Sequence, residues 1–156
     1  MISDIAPEFY VEYRPSRMAG RIVNSPDLPE PKGFSHAVVA GRTVYLAGQI
    51  GDGESLVEQF DGAAQNLLNA LAAAGGVPED VVTLQVFVTD VAEYRGSLRE
   101  LGRVWRAHFG RHYPAMGLFG VTELFEPSAK VELMGVAVIG EPSDSVPVPG
   151  AKPVAP

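Results

Sequence analysis

The stretch HYPAMGLFGVTELFEPSAKVELMGVAV, residues 112–138, sets one carboxylate, Glu132, among Val131, Leu133 and Met134, with no lysine or arginine between Arg111 and Lys130 to pair with it. Read as a strand, KVELMGVAV points Val131, Leu133, Gly135 and Ala137 one way and Glu132, Met134, Val136 and Val138 the other. Both faces are then largely apolar, and a carboxylate held there costs several kcal/mol, on the order of 2–7, unless something satisfies it. Two uses fit. One is a structural salt bridge at an interface or sheet edge. The other is chemical: a carboxylate without a cation is raised in pKa, and in a cleft between subunits it can hold a water or a polar group of a substrate and act as a proton donor or acceptor.

Other residues with chemical potential carry less. Gly48-Gln49, with Gly51 and Gly53 close behind, follows the apolar VYLA; the glycines can admit a ligand to the backbone or shape a turn, and no GxGxxG or GxxxxGK spacing marks a phosphate loop. Ser35 and His36 are neighbours on a strand, so they point to opposite faces and cannot form a nucleophilic pair. His36, His108 and His112 make no HExxH pattern, and the chain has no cysteine, so neither a metal site nor thiol chemistry is expected. Arg99, Arg103 and Arg106 fall at helical spacing on what reads as a solvated face, and Trp105 reads as core. Arg42, Arg95 and Arg111 are the remaining bases near these elements, and none is fixed by sequence as a partner for Glu132.

The elements that would position Glu132 follow from periodicity. Strands are expected at about 35–40 and 43–50, joined tightly at Gly41-Arg42. From Leu56, apolar residues at helical spacing (Phe60, Ala63, Ala64, Leu67, Leu68, Leu71, Ala74) predict a helix stopped by Gly75-Gly76 and Pro78. VVTLQVFVTD predicts a strand at 81–89, with Asp90 placed to cap the next turn. A second helix is expected over 93–109, then strands at 116–124 and 129–139 separated by FEPSA. Two helices and five strands indicate an α+β domain with both helices on one face of a mixed sheet. A helix layer covers one sheet face only, so a second copy of the chain is expected over the other.

Composition bounds the rest. The 156 residues suit one domain: an extended, proline-bearing lead-in at 1–33, a domain at 34–140 and a Pro-rich flexible tail at 141–156 with five prolines in EPSDSVPVPGAKPVAP. A net charge of -7 argues against a nucleic-acid partner. No apolar run is long enough to span a membrane, and Asp4, Glu8 and Glu12 spoil a signal-peptide reading, so the cytoplasm is the expected compartment.

The element order, together with GFSHAVVAGRTVYLAGQIG, VVTLQVFVTDV and YPAMGLFGVTELFEPSAKVELMGVAV, resembles the RidA family, also called the YjgF or UK114 family, across residues 32–139. The resemblance implies a chorismate-mutase-like fold in a homotrimer whose sheets form a central barrel, a small-molecule ligand in the clefts between subunits, no cofactor, and hydrolysis of 2-imino or enamino acids with release of ammonia. Carried over, the water-placing glutamate of that family falls on Glu132. The arginine that grips the substrate carboxylate falls on Met116, the pocket tyrosine on Phe34 and the assisting carbonyl on Leu118, with Gly117 between. A thioether cannot reproduce the guanidinium fork. The resemblance thus implies a divergent member acting on a different imine, enamine or related metabolite, or a noncatalytic binding or regulatory trimer; some relatives are described as endoribonucleases, a third reading that the acidic balance disfavours.

Overall fold

The computed structural model describes residues 20–140, so the proposed tail at 141–156 and most of the lead-in lie outside the described residues. The elements run β1 (Arg21–Val23), β2 (Ala37–Ala40), β3 (Thr43–Gln49), α1 (Leu56–Ala73), a 3-10 turn (Pro78–Asp80), β4 (Val81–Val88), α2 (Val91–Gly96), α3 (Leu98–Phe109), β5 (Ala115–Gly120) and β6 (Val131–Val138). Among the described residues they build one mixed six-stranded sheet in the order β1-β2-β3-β6-β4-β5, in which only β4 and β5 pair in parallel.

That order corrects the central barrel. Closing this sheet would require its edges, β1 and β5, to pair with each other, and among the described residues they pair only with β2 and β4 respectively. The sheet is open, with a three-residue edge at one side and a six-residue edge at the other. The last two strands are also not a hairpin, because β4 sits between β5 and β6; the β4 to β5 connection is instead a parallel crossover through α2 and α3.

Local chemistry sets the element ends. Ser55 caps α1, its hydroxyl accepting from the Glu58 N–H while the Glu58 carboxylate accepts from the Ser55 N–H, a reciprocal box. The Ser55 N–H first, then the Ser55 hydroxyl and the Glu54 N–H, donate to the Glu58 carboxylate and hold it below its ordinary pKa. Asp90 caps α2 as expected, accepting from the Glu93 N–H. The single helix expected over 93–109 is two: at Gly96-Ser97 the Ser97 hydroxyl donates back to the Glu93 carbonyl, and Ser97 leaves helical geometry at φ -109°, ψ 8°.

The core lies between the helices and one sheet face. Phe60, Ala63, Ala64, Leu67, Ala70 and Leu71 of α1 are buried against Val44, Leu46, Leu84, Val86, Val131, Leu133 and Ala137. Along β6 the burial alternates strictly, with Val131, Leu133, Gly135 and Ala137 buried beneath the helices and Glu132, Met134, Val136 and Val138 on the opposite, helix-free face. Trp105 is core, stacked on Phe109 at 4.2 Å between ring centroids, while Arg99, Arg103 and Arg106 are exposed. Among the described residues no helix is long and apolar enough to cross a membrane.

Candidate functional site

Strand alternation puts Glu132 on the helix-free face, paired with Phe87 of β4. Its carboxylate lies directly over Gly48 of β3: a Cβ built at residue 48 would overlap Oε1 and stand 2.8 Å from Cδ and 3.2 Å from Cγ. The glycine at 48 is therefore a seat for the carboxylate. These glycines leave room for a ligand to approach the backbone; at Gly48 the occupant is a side chain of the same chain. At Gly51 it is the backbone of α1, since a Cβ there would meet Ala63 N at 2.6 Å and Gly62 C at 2.8 Å.

Around the carboxylate is a cavity of about 350 Å³ lined by Phe34, Ala47, Gly48, Ile50 and Phe125, with Glu126 and Glu132 as its charged groups. It shares Phe34, Gly48, Ile50 and Phe125 with a wider recess of about 710 Å³ that reaches Asp27, Glu30, Lys32 and Asp52. Among the described residues no lysine, arginine or histidine forms an ion pair with Glu132, the ion pairs being His108–Asp61 and Lys130–Glu93. Desolvation by the surrounding apolar groups holds the Glu132 carboxyl above its ordinary pKa. Such a group exchanges protons at a higher pH than a solvated glutamate.

The walls are held by two amides that sequence reasoning did not single out. Gln59, buried on α1, uses all its reach: its Nε2 donates to the carbonyls of Gly53 and Ser128, and its Oε1 accepts from the Lys130 N–H at 2.7 Å. It ties the loop after β3 to the end of the loop before β6. Asn66 Nδ2 donates to the Ile50 carbonyl at 2.9 Å. Their signal was faint: both interrupt the apolar register of α1, where a solvated amide reads the same in one dimension.

Phe34 lines this cavity, 55% exposed. Its neighbour His36 is a structural histidine: Nδ1 accepts from the Ser25 N–H and Nε2 donates to the Pro29 carbonyl, both at 3.0 Å, so neither nitrogen is open to a ligand. Phe125, with no sequence signal beyond its lying in an Asx-free turn between strands, is fully exposed over the same cavity.

Met116, Gly117 and Leu118 are not beside Glu132 in one chain. Met116 pairs with Leu84 and Leu118 with Val86, both helix-side positions, and Met116 borders a shallow cavity with Phe60, Tyr94, Leu98 and Trp105. Gly117 is on the helix-free face, where the Phe119 ring folds to within 2.8 Å of where its Cβ would be. Desolvation raises the Tyr94 phenol above its ordinary pKa in that helix-side cavity.

Comparison with known proteins bears on the fold. The family model described as Endoribonuclease L-PSP matches residues 27–139. The chain is 32% identical over 128 residues to a 2-iminobutanoate/2-iminopropanoate deaminase of Dermatophagoides farinae, covering 76% of this chain and 96% of that protein. It is 27% identical to the Homo sapiens protein of the same name, over 80% and 94% of the two chains. Among solved structures, a YjgF/YER057c/UK114 family member from Mycobacterium tuberculosis superposes with a TM-score of 0.65 at 31% identity, over 75% of this chain and 98% of that one. RidA from an Antarctic Psychrobacter superposes at 0.68 and 28% identity, over 76% and 99%.

Proposed function

The chain belongs to the RidA family, also written YjgF/YER057c/UK114, and from that premise we propose that it hydrolyses a small imine or enamine, with Glu132 placing the attacking water. The observation that carries this reading is the seat at Gly48: a desolvated carboxylate without a basic partner, laid over a residue that has no side chain, at the wall of an apolar cavity. The chemistry balances with water alone. Glu132 takes a proton as the water oxygen bonds to the imine carbon, and returns a proton to the nitrogen. As the hydroxyl of the resulting carbinolamine gives up its proton to the nitrogen, the carbon–nitrogen bond breaks, ammonia leaves and a carbonyl remains.

A single chain supplies Glu132 and Phe34 to this site. Met116 and Leu118 join them only if a second copy presents its β5, which is an open edge. The helix-free face supports such an assembly, since Tyr45, Phe119, Met134 and Val138 stand exposed on it. The proposed unit is therefore a homotrimer with the ligand in a cleft between copies.

Met116 in the place of the family's arginine favours a substrate without a carboxylate, because a carboxylate would be desolvated there against a thioether. Ammonia release from imines generated in place, with and without a carboxylate, tests the reading. Release only from the carboxylate-free compounds is the expected result, and Met116→Arg should raise activity on 2-iminopropanoate. No ammonia from either class, with a ligand nonetheless bound, would favour the noncatalytic binding reading. Salt-dependent RNA binding would favour the endoribonuclease reading, which the net charge of -7 opposes.

A further inference from the structure

The charges around the Glu132 cavity are one-sided. The cavity and the recess that continues it are lined by the acidic residues Asp27, Glu30, Asp52, Glu126 and Glu132 against one basic residue, Lys32. None of the five carboxylates takes part in an ion pair among the described residues. Glu126 accepts a hydrogen bond from the Ser128 hydroxyl, a neutral donor that leaves its charge in place. Of the neutral polar groups there, Asn66 Nδ2 donates to the Ile50 carbonyl and both ring nitrogens of His36 are bonded to backbone, while the Gln49 amide also lines the recess.

Two aromatic rings stand in the same space. Phe34 and Phe125 both line the smaller cavity and the wider recess, and Phe125 is fully exposed although it is one of the largest apolar side chains in the loop. Exposed rings beside uncompensated carboxylates match the environment that holds organic cations, where the ring faces attract the charge and the carboxylates neutralise it. The same field repels a carboxylate approaching from solvent.

We propose that the Glu132 cavity takes a small organic cation, an iminium or ammonium compound bearing an apolar body and no carboxylate, with Phe34 and Phe125 packing on it and Glu126 and Glu132 balancing its charge. This rests on the reading of that cavity as the ligand site and names the class of compound it takes. An iminium is also the more electrophilic form of a carbon–nitrogen double bond. Water adds to its carbon, both water protons pass in turn from oxygen to nitrogen, the carbon–nitrogen bond breaks, and the products are a ketone or aldehyde and ammonium, with charge conserved.

The test uses the full chain and three probes of one shape: 2-phenylethylammonium, 2-phenylethanol and phenylacetate, titrated calorimetrically at low salt. The expected order is ammonium tightest by tenfold or more, then alcohol, with phenylacetate weakest. The preference for ammonium should shrink as sodium chloride is raised, since exposed charge is screened. Glu126→Gln should remove most of the preference for ammonium over alcohol, and Phe125→Ala should weaken ammonium binding several-fold; both positions are exposed, and circular dichroism checks that each variant folds. Equal or tighter binding of phenylacetate, a salt-independent order, or no binding of any probe at millimolar concentration would each overturn the proposal. The hydrolase reading fails separately. Ammonium binding with no ammonia released from any imine would remove the hydrolase and keep the cation site, whereas fast hydrolysis of carboxylate-bearing imines would do the reverse.

Discussion

Replacing Gly48 with alanine separates the seat of the carboxylate from the stability of the sheet. The new methyl would stand 2.8 Å from Glu132 Cδ and 3.2 Å from Cγ. Carbon atoms settle at about 3.5–4.0 Å, so Cδ must retreat by roughly 1 Å. The backbone does not object, because Gly48 is not among the glycines with positive φ. The obstacle is the far end of a flexible side chain, whose move to a poorer rotamer costs about 0.5–1.5 kcal/mol, and alanine recovers about 0.5–1 kcal/mol over glycine within a strand. The two nearly cancel, and the melting temperature should shift by less than roughly 4 °C. Function should not survive so well, since a misplacement of about 1 Å at a reacting group can cost on the order of 100-fold. The assay is ammonia release, or probe binding by calorimetry, beside thermal melts of Gly48→Ala, Glu132→Gln and the double variant. The double variant should be no worse than Glu132→Gln alone, because both substitutions remove the same placed carboxylate. Wild-type turnover and affinity in a fully folded Gly48→Ala would refute the reasoning, and so would additive losses in the double variant.

Other outcomes follow from the same geometry. Because desolvation raises the Glu132 pKa, the folded chain holds a proton there that the unfolded chain has released. This group therefore subtracts stability as pH rises from the ordinary glutamate value through the raised one, and the penalty is absent below both; the melting temperature of Glu132→Gln should gain on wild type across that window and match it in acid. Turnover that uses Glu132 as base should fall on acidification at a higher pH than for a solvated glutamate, and a pH–rate profile reads this directly. Gln59→Leu strands the Gly53 and Ser128 carbonyls and the Lys130 N–H, which should cost about 2–4 kcal/mol and lower the melting point by roughly 5–15 °C; an unchanged melt would mean that water replaces the amide without loss. Met134→Lys places a charge on the helix-free face and should convert a species of three 16.6 kDa chains into single chains in sedimentation equilibrium. A wild-type monomer at micromolar concentration would remove the assembly altogether.

The alternation of KVELMGVAV was enough by itself to divide β6 into a buried face and a face carrying Glu132, because a strand has a period of two and only one of its faces can meet a helix layer. Periodicity likewise located α1, β4 and the core role of Trp105, and the capping role of Asp90 was legible because a cap acts on the next three residues. Strand order was not legible. Pairing depends on which strands reach one another after the chain turns, so β4 between β5 and β6, the parallel β4–β5 pair and the open edges came only from the tertiary structure. The same holds at the site. Glu132 was visible as a charge without a partner, but the seat at Gly48, 84 positions away, exists only because β3 and β6 are neighbours, and Met116 is parted from Glu132 because its strand presents it to the opposite side of the sheet. Spacing along the chain fixes which residues share a face of one element; which faces meet is decided by how the elements pack.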